Sequence, residues 1–413
     1  MNDRSGSHKG RESVAARLWR TTAERALRGI RNGTVVIAAP SGTSTFGSGE
    51  AVARVRVHDP ACFLRMALGG TAGAGESYMA GLWDCDELVD LVRIMLRNRD
   101  ALSALEGLAS VPAAVVDAMF HLMRRNSRAG RRRNIREHYD LGNEFFRLFL
   151  DERLMYSAAV YETPEDSLEA ASTAKLDRLC RKLRLTRGER LLEIGTGWGG
   201  LAVYAAENYG CHVTTATISE SQYEYAKALV SARGLSDQVD VILADYRDLR
   251  GSYDKLVSVE MVEAVGHAFL DRYFETCAGL IRRDGMMVLQ AIVIRDTRYR
   301  RALHKADFIK KHIFPGGFIP SISALTAAAA RADLSVMSLE DFADDYALTL
   351  RDWRRNLDNN ADGVQALGFD ASFLRKWRFY FAYCEGGFRE RAISDVQVVY
   401  TKSDYRGPPW RAS

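Results

Sequence analysis

Short apolar segments alternate with segments of helical spacing from Glu189 onward, and this alternation constrains the fold more than any other feature of the sequence. It predicts an α/β domain in which a parallel sheet has helices on both faces. Ligand sites in such sheets lie at the carboxyl ends of the strands. The predicted strands are 190–194, 212–217, 239–244, 255–259 and 286–292, and the predicted helices are 200–209, 221–232 and 269–280.

The N-terminal part of the chain has a different pattern. Strands at Thr34–Ala39 and Ala51–Val57, with helices near 60–67 and 85–97, predict a small mixed α+β domain. The segment 12–30 is an amphipathic helix, which fits either docking on its own domain or lying on a membrane surface. The composition of the 413 residues, 47% hydrophobic and 27% charged, excludes disordered and coiled-coil classes.

Arginine is concentrated between residues 124 and 136, a stretch without acidic residues, although the net charge of the chain is only +4. Such a cluster fits an anionic membrane surface or a nucleic acid. No aromatic residues are interleaved with the arginines, so we favour the membrane and expect no nucleic acid. The residues expected to bind the membrane are Arg124, Arg125, Arg131, Arg132 and Arg133.

The six cysteines show neither CxxC spacing nor a histidine at metal-ligand distance. The sequence therefore predicts neither a disulfide framework nor a metal site. It also shows no signal-peptide h-region and no apolar segment long enough to span a bilayer. We expect a cytoplasmic protein that is peripheral at the inner face of the membrane.

A glycine-rich turn, Gly195-Thr196-Gly197-Trp198-Gly199-Gly200, follows the predicted strand that contains Glu193 and precedes a helix. Glycines let a ligand approach the backbone, and a helix N-terminus offers unpaired N–H groups. The loop reads GxGxGG, and the next strand ends in Ile218-Ser219 rather than an acid, so NAD is disfavoured. Because no Gly-Lys-Ser/Thr follows, a P-loop is excluded. Asp245 and Tyr246 follow the third strand, where an adenine could lie, so S-adenosylmethionine is the better prediction.

Eight sequence blocks, in order, resemble the cyclopropane-fatty-acid synthase family of S-adenosylmethionine-dependent lipid methyltransferases. The resemblance covers roughly Asn134 to Lys402, and a ninth block, Gly75–Gly81, is similar to the N-terminal module of longer members. It implies a Rossmann-like class I methyltransferase sheet. The eight blocks are His138–Asn143, Tyr156-Ser157, Leu192–Gly200, Ser219–Gln222, Asp245–Asp248, Ser258–Gly266, Ile313–Gly317 and Tyr383–Arg389.

The resemblance also implies which residues form the site. The predicted cofactor-binding residues are Tyr156, Ser157, Glu193, Gly195, Gly197, Gly199, Thr217, Gln222, Asp245, Tyr246 and Arg247. The family reaction transfers a methyl group to a cis double bond of a phospholipid acyl chain, through a carbocation that loses a proton. The base in the family resembles a bound bicarbonate held by two cysteines, a glutamate, a histidine and a tyrosine. Three of these five match as Glu263, Tyr346 and Cys384, and Glu263 is expected to matter most.

The five positions around the bicarbonate are called the cage below, and two of them depart from the family pattern. Ala158 stands where a cysteine is usual, and Gln290 stands where a histidine is usual. Gln290 keeps a donor and an acceptor but cannot become charged, and it completes the predicted catalytic set. The segments Leu289–Ile292 and Val259–Ala264 resemble the subgroup that makes methylene or methyl-branched fatty acids, such as the tuberculostearic acid precursor.

With the resemblance, the chain divides into a disordered tail (1–10), an N-terminal accessory domain (11–122), a basic connector (123–136) and a methyltransferase domain (137–413). The expected partners are an unsaturated phospholipid, an anionic membrane surface, a reductase acting on a methylene product, and a second copy of the chain in a homodimer. Bicarbonate is a second expected ligand. Two alternatives stay open: a methyltransferase acting on a soluble small molecule, and, because two cage positions have changed, a catalytically silent lipid-binding homologue.

Overall fold

The computed structural model describes residues 14–100, 141–408 and 410. The chain forms two compact units, one of residues 1–116 with 371–379, and one of residues 117–370 with 380–413. The segment 371–379 thus belongs with the N-terminal unit, whereas the sequence placed it in the methyltransferase domain. The predicted tail and basic connector, with all five membrane-binding arginines, lie outside the described residues.

The N-terminal unit contains a four-stranded sheet in the order β2-β1-β3-β4. Strands β1 and β3 are parallel, and the other neighbouring pairs are antiparallel. The elements are α1 (Val14–Leu27), β1 (Gly33–Ala39), β2 (Gly42–Ser48), β3 (Val52–Val57), α2 (Ala61–Met79), β4 (Trp83–Cys85) and α3 (Leu88–Arg97).

Three features of this unit differ from the prediction. The strand β2 was missed because its residues are small or polar, and Phe46 is its one buried position. Helix α2 runs well past the predicted end, with a break at Gly70, whose φ of 54° a residue with a side chain rarely adopts. Cys85 is the last residue of strand β4 rather than the first residue of a helix, and α3 starts at Leu88.

Arg375 explains why the segment 371–379 belongs to the N-terminal unit. Its guanidinium lies 4.0 Å from the centre of the Tyr78 ring and 2.7 Å from Asp84 Oδ1. It also donates to the Trp83 carbonyl at 2.7 Å. These contacts hold the start of the long C-terminal helix, 371–389, against β4.

The second unit is built on a seven-stranded sheet in the order β10-β11-β9-β8-β5-β6-β7. Strands β9, β8, β5, β6 and β7 are mutually parallel, whereas β11 is antiparallel to both of its neighbours. The strands are β5 (Arg190–Ile194), β6 (His212–Thr217), β7 (Val239–Leu243), β8 (Tyr253–Val259), β9 (Ile281–Ile294), β10 (Ser335–Asp341) and β11 (Ile393–Thr401). The predicted α/β fold with an additional α+β region is confirmed.

Helices cover both faces of this sheet. Successive residues of a strand point to opposite faces, so Leu191 and Leu192 of β5 enter two different hydrophobic clusters. The α-helices are α4 (Asn143–Arg147), α5 (Leu168–Leu183), α6 (Gly200–Tyr209), α7 (Glu220–Ala232), α8 (Leu270–Leu280), α9 (Asp296–His304), α10 (Phe308–His312), α11 (Ile322–Arg331), α12 (Ala343–Asn359), α13 (Ala361–Ala366) and α14 (Ala371–Arg389).

The strand order reverses direction between β5 and β8, which are neighbours although β6 and β7 intervene in the chain. Loops on either side of such a switch point diverge and leave a crevice. The glycine-rich turn follows β5, and the segment from Glu260 to Ala264 follows β8. The Ser258 hydroxyl donates to the Ile194 carbonyl at 3.0 Å and ties the two strand ends together. The fold therefore places these two segments at one crevice.

Within the part of the chain that the structure describes, no helix has both the length and the apolar character needed to cross a bilayer.

Candidate active site

The glycine-rich turn has the backbone geometry of a ligand-binding loop. Gly195, Gly197 and Gly199 have φ values of 102°, 53° and 90°, a region that favours glycine. A Cβ placed on Gly199 would lie 3.1 Å from the Ala226 Cβ, so this glycine also permits close packing. A Cβ on Gly197 would meet no atom within 4 Å. The loop is therefore open at Gly197, and a cofactor can approach its backbone there.

Glu193, on β5, stabilises this loop through a hydrogen-bonded network. Its Oε2 accepts a hydrogen bond from the Thr215 hydroxyl at 2.6 Å, and the same hydroxyl lies 2.8 Å from Thr196 Oγ1. Burial raises the pKa of the Glu193 carboxyl group to about 8. The carboxyl group is therefore mostly protonated at neutral pH, and it can offer a proton as well as an acceptor to this network.

Thr217 and Gln222 lie where β6 meets α7. The Ser219 amide donates to the Thr217 hydroxyl at 3.1 Å, and that hydroxyl donates to Gln222 Oε1 at 2.9 Å. The side chain of Gln222 is buried and its oxygen is held inward by Thr217. Its amide nitrogen, a double donor, suits the hydroxyl oxygens of a ribose.

Asp245 and Arg247 form a closed ion pair after β7. Arg247 Nε and Nη2 donate to the two carboxylate oxygens of Asp245 at 2.8 and 2.7 Å. The Arg247 amide also donates to Asp245 Oδ1 at 3.1 Å. The intervening Tyr246 is buried, with its ring 5.4 Å from that of Tyr273. The pair neutralises its own charges, so this segment presents an uncharged edge to a ligand.

Aromatic side chains connect the glycine-rich turn to the rest of the site. The Phe146 ring lies 4.9 Å from Trp198 of that turn and 5.5 Å from Tyr156. Tyr156 in turn lies 5.1 Å from Trp353, and its hydroxyl is 3.1 Å from that of Tyr380. A wall of this kind is apolar, and its ring faces can stabilise a cation.

Ser157 accepts a hydrogen bond from the fully buried Lys175 Nζ at 2.7 Å. Burial lowers the pKa of Lys175, and the nearby carboxylate of Glu260 opposes that shift most strongly among the acids around it. Lys175 was not among the predicted site residues. A lysine at helical spacing from Ala171 and Leu179, both buried, was the signal that could have indicated it.

Glu260 accepts hydrogen bonds from three partners on three separate segments. Its Oε1 accepts from the Ala158 amide at 2.7 Å and from Gln290 Nε2 at 2.9 Å. Its Oε2 accepts from the Tyr346 hydroxyl at 2.6 Å. Its φ of 45° is unusual for a residue with a side chain, and such strain occurs often at functional sites. Glu260 was not among the predicted site residues, and it brings Gln290, Tyr346 and Ala158 together.

Glu263, the carboxylate that the sequence analysis favoured, has fewer partners. Its Oε1 accepts from the Ile292 amide at 2.6 Å, and its buried Oε2 has no hydrogen-bond partner among the described residues. Burial, with the charge of Glu260 as a second cause, raises the pKa of Glu263 to about 8. Burial also raises the pKa of Asp395, a neighbouring acid on β11. Burial raises the pKa of Glu260 as well, but hydrogen bonds from its three donors and the charge of Lys175 oppose that shift. Glu260 has the most donors of the three acids, so the ionised form is best supported there.

Gln290 is oriented by a chain of hydrogen bonds that starts at a lysine. Lys182 Nζ, which as an ammonium group has donors and no acceptor, donates to Gln397 Oε1 at 2.6 Å. Gln397 Nε2 then donates to Gln290 Oε1 at 2.9 Å. The amide nitrogen of Gln290 must therefore face Glu260. Burial lowers the pKa of Lys182 to about 8, which leaves it largely protonated at neutral pH, and Lys182 also pairs with Glu340.

Tyr346 and Cys384 lie on two helices, α12 and α14, that pack against each other. The Tyr346 ring stacks on Phe388 at 4.3 Å with an interplanar angle of 18°. Cys384 is one helical turn from both Phe388 and Tyr380, so the three share one face of α14. Burial raises the pKa of the Cys384 thiol, which is therefore neutral. Cys384 forms a neutral part of this face, between the residues that contact Tyr346 and Tyr156.

A family model described as mycolic acid cyclopropane synthetase matches residues 126–398. The chain belongs to this family of S-adenosylmethionine-dependent methyltransferases. It is 37% identical over 379 residues to tuberculostearic acid methyltransferase UfaA1 of Mycobacterium tuberculosis, covering 89% of this chain and 87% of that protein. It is 36% identical over 364 residues to cyclopropane-fatty-acyl-phospholipid synthase of Escherichia coli, covering 87% of this chain and 91% of that protein.

The solved structures agree with this assignment. The mycolic acid cyclopropane synthase CmaA1, complexed with SAH and CTAB, matches with a TM-score of 0.62 and 31% identity, over 66% of this chain and 98% of that one. The protein is therefore an S-adenosylmethionine-dependent methyltransferase. The open glycine-rich turn and the inward-held Gln222 fit the cofactor.

Proposed function

We propose that this methyltransferase acts on the cis double bond of an unsaturated phospholipid acyl chain and forms a methylene, methyl-branched or cyclopropane fatty acid. S-adenosylmethionine supplies an activated methyl group bound to a sulfonium. The observation that carries the proposal is the composition of the crevice, which combines an aromatic wall beside the cofactor loop with Glu260, a carboxylate that accepts three hydrogen bonds.

The residues of the chain suit a reaction that passes through a carbocation. The rings of Tyr156 and Tyr346 both contact that of Trp353, and the negative faces of aromatic rings attract a cation. A dry site prevents water from capturing the cation. Gln222 and the open turn at Gly197 would hold the cofactor on the side of β5 and β6. The carboxylate would receive the proton that the cation must lose.

The names of the relatives support a lipid substrate. One is a tuberculostearic acid methyltransferase and another a cyclopropane-fatty-acyl-phospholipid synthase, and each aligns along most of its length. The altered cage at Ala158 and Gln290 favours a methylene or methyl-branched product over a simple ring. The arginines between 124 and 136 would bring the enzyme to an anionic membrane, where its substrate lies.

The test is mass spectrometry of lipids from cells that express the protein, beside cells that express a Gly197→Val variant. A gain of 14 mass units in unsaturated phospholipids is expected only with the parent protein. Proton NMR then separates the isomers, because ring protons resonate upfield of the chain methylenes and vinylidene protons far downfield. Unchanged lipids, together with methylation of a soluble compound in the extract, would support the small-molecule alternative instead.

A further inference from the structure

The surroundings of Glu260 form a binding site for an anion. Tyr346, the Ala158 amide and Gln290 converge on one carboxylate from three segments, and all three act as donors. Burial raises the pKa of Tyr346 well above its ordinary value, so its hydroxyl keeps its proton. Donors that converge on a buried carboxylate stabilise its ionised form. The anion that fills this site is a side chain of the protein itself.

Lys175 strengthens this conclusion. It is fully buried, and Glu260 is the first among the acids that favour its charged form. The other two acids of the cluster have weaker support for a charge, because Glu263 has one donor and both carboxyl oxygens of Asp395 have no hydrogen-bond partner among the described residues. A negative charge that acts on Lys175 is thus best placed on Glu260.

A bicarbonate, which the sequence resemblance implied, does not fit these residues. Three of the five positions expected to surround it, Ala158, Gln290 and Tyr346, already bond to Glu260. A second anion would have to displace a carboxylate that has three hydrogen bonds. It would also place two negative charges in one buried space, which is unfavourable.

We infer that Glu260 is the base of the reaction and that its carboxylate takes the place of a bound bicarbonate. This inference rests on the proposed function. The proton transfer balances without another reactant. A C–H bond of the cationic acyl chain breaks, and its electron pair forms either the last bond of a cyclopropane ring or a carbon–carbon double bond. The proton becomes the O–H proton of Glu260 and passes to solvent before the next turnover.

Two variants separate the effect of the negative charge of Glu260 from the effect of the volume that its side chain occupies. Glu260→Gly removes the carboxylate, opens a space lined by the same three donors, and suits the positive φ of this position. Glu260→Gln fills the space but cannot accept the proton at neutral pH. Parent and variants are assayed with labelled S-adenosylmethionine and vesicles of unsaturated phosphatidylglycerol, in buffer freed of carbon dioxide and again with added bicarbonate.

The parent is expected to be equally active in both buffers. Glu260→Gly is expected to lose about a hundredfold in turnover, as for loss of one preorganised charged group, and to recover part of it when bicarbonate is added. Glu260→Gln is expected to lose a similar factor and to show no recovery. A parent that requires bicarbonate, or a Glu260→Gln variant as active as the parent, would overturn the inference.

A binding measurement keeps the test independent of the lipid substrate. Carbon-13 NMR of labelled bicarbonate is expected to show binding to Glu260→Gly and none to the parent, while calorimetry shows equal affinity of all three proteins for S-adenosylhomocysteine. If no unsaturated lipid is methylated, the proposed function fails. The bicarbonate titration still shows whether the Glu260 carboxylate or bicarbonate occupies the anion site. Bicarbonate binding by the parent would refute the assignment of Glu260.

Discussion

The Tyr346 hydroxyl lies 2.6 Å from Glu260 Oε2 and joins two residues that are 86 positions apart in the sequence. The ring of Tyr346 is fixed independently, because it stacks on Phe388. The position of the hydroxyl is therefore set by the packing of the ring as well as by its hydrogen bond to the carboxylate. A donor held in this way lowers the pKa of the carboxyl group that it contacts, in opposition to burial, which raises it.

Tyr346→Phe is expected to shift the acid limb of the pH–activity profile upward. Removing the donor destabilises the ionised carboxylate, so the pKa of Glu260 rises and activity is lost at a higher pH as the pH falls. A hydrogen bond to a charged group contributes roughly 1.5–3 kcal/mol, which corresponds to a shift of about one pH unit or more. The matched control is Tyr204→Phe, which removes a hydroxyl that donates to Asp177 at 3.2 Å. An unshifted profile for Tyr346→Phe would contradict the role of this contact.

Gly197→Val is expected to abolish binding of S-adenosylhomocysteine measured by calorimetry. The β-branched side chain would fill the open side of the turn, where the cofactor approaches. Gly188→Val is the control, because Gly188 also has a positive φ, 82°, and a Cβ there would likewise meet nothing within 4 Å. The backbone strain is therefore similar, but Gly188 precedes β5 at the opposite end of the strand. Equal loss of affinity in both variants would mean that strain, not the loop, is responsible.

Most of the sheet could be predicted from sequence because its signal is local. Each strand and helix predicted between 190 and 292 is present, and the largest difference is at β9, which begins at Ile281 rather than at 286. Strands β5 and β8 and the second half of β9 are largely buried, and the glycine-rich turn marks where β5 ends. Strand β2 could not be predicted in the same way, because only Phe46 among its residues is buried.

The site was predictable in part. The resemblance predicted Gln290 and Tyr346, and the structure places both in contact with Glu260. One sequence does not show whether Glu260 or Glu263 receives these contacts. Both acids follow β8 within four residues of each other, and the positive φ that turns Glu260 toward its three donors has no signature in its residue type. Lys175 and Lys182, by contrast, share the buried face of α5, and a lysine at such a position is a readable signal.

Gln397→Glu is expected to disturb the active site through Gln290. A carboxylate cannot donate to Gln290 Oε1, so the Gln290 amide would turn and present its oxygen to Glu260. We expect kcat to fall by about tenfold with KM little changed, as for loss of roughly one net hydrogen bond. Gln365→Glu makes the same change at an exposed position of α13 and serves as control. A fall in melting temperature without a fall in kcat would indicate a structural role only.

Replacing Arg131, Arg132 and Arg133 with glutamine is expected to weaken binding to anionic liposomes. Each basic residue near an anionic surface contributes on the order of 1 kcal/mol, and salt screens this attraction. Flotation assays at two salt concentrations measure the effect. Replacement of Arg282 and Arg283, which are exposed and pair with acidic residues, is the control. Unchanged flotation of the triple variant would refute the proposed membrane contact, and retention on RNA would favour a nucleic-acid role for the cluster.

Glu263→Gln is expected to flatten the dependence of stability on pH. The folded-state pKa of Glu263 is about 8, against a model value of 4.5. Between these values the folded state binds a proton that the unfolded state has released, so stability falls as the pH rises through this window. The full effect is on the order of a few kcal/mol, and it is absent from the variant, whose amide does not titrate.

Denaturant unfolding of parent and Glu263→Gln between pH 5 and pH 9 measures this difference. The variant should gain stability relative to the parent as the pH rises toward about 8, whatever constant offset the substitution introduces. A constant difference across the range would show that Glu263 is ionised in the folded protein throughout. In that case the charge of the cluster would be shared by Glu260 and Glu263, and turnover of Glu263→Gln would fall about as far as that of Glu260→Gln. If Glu263 is neutral, its substitution should reduce turnover much less, because a neutral acid and an amide both leave Glu260 as the charged group.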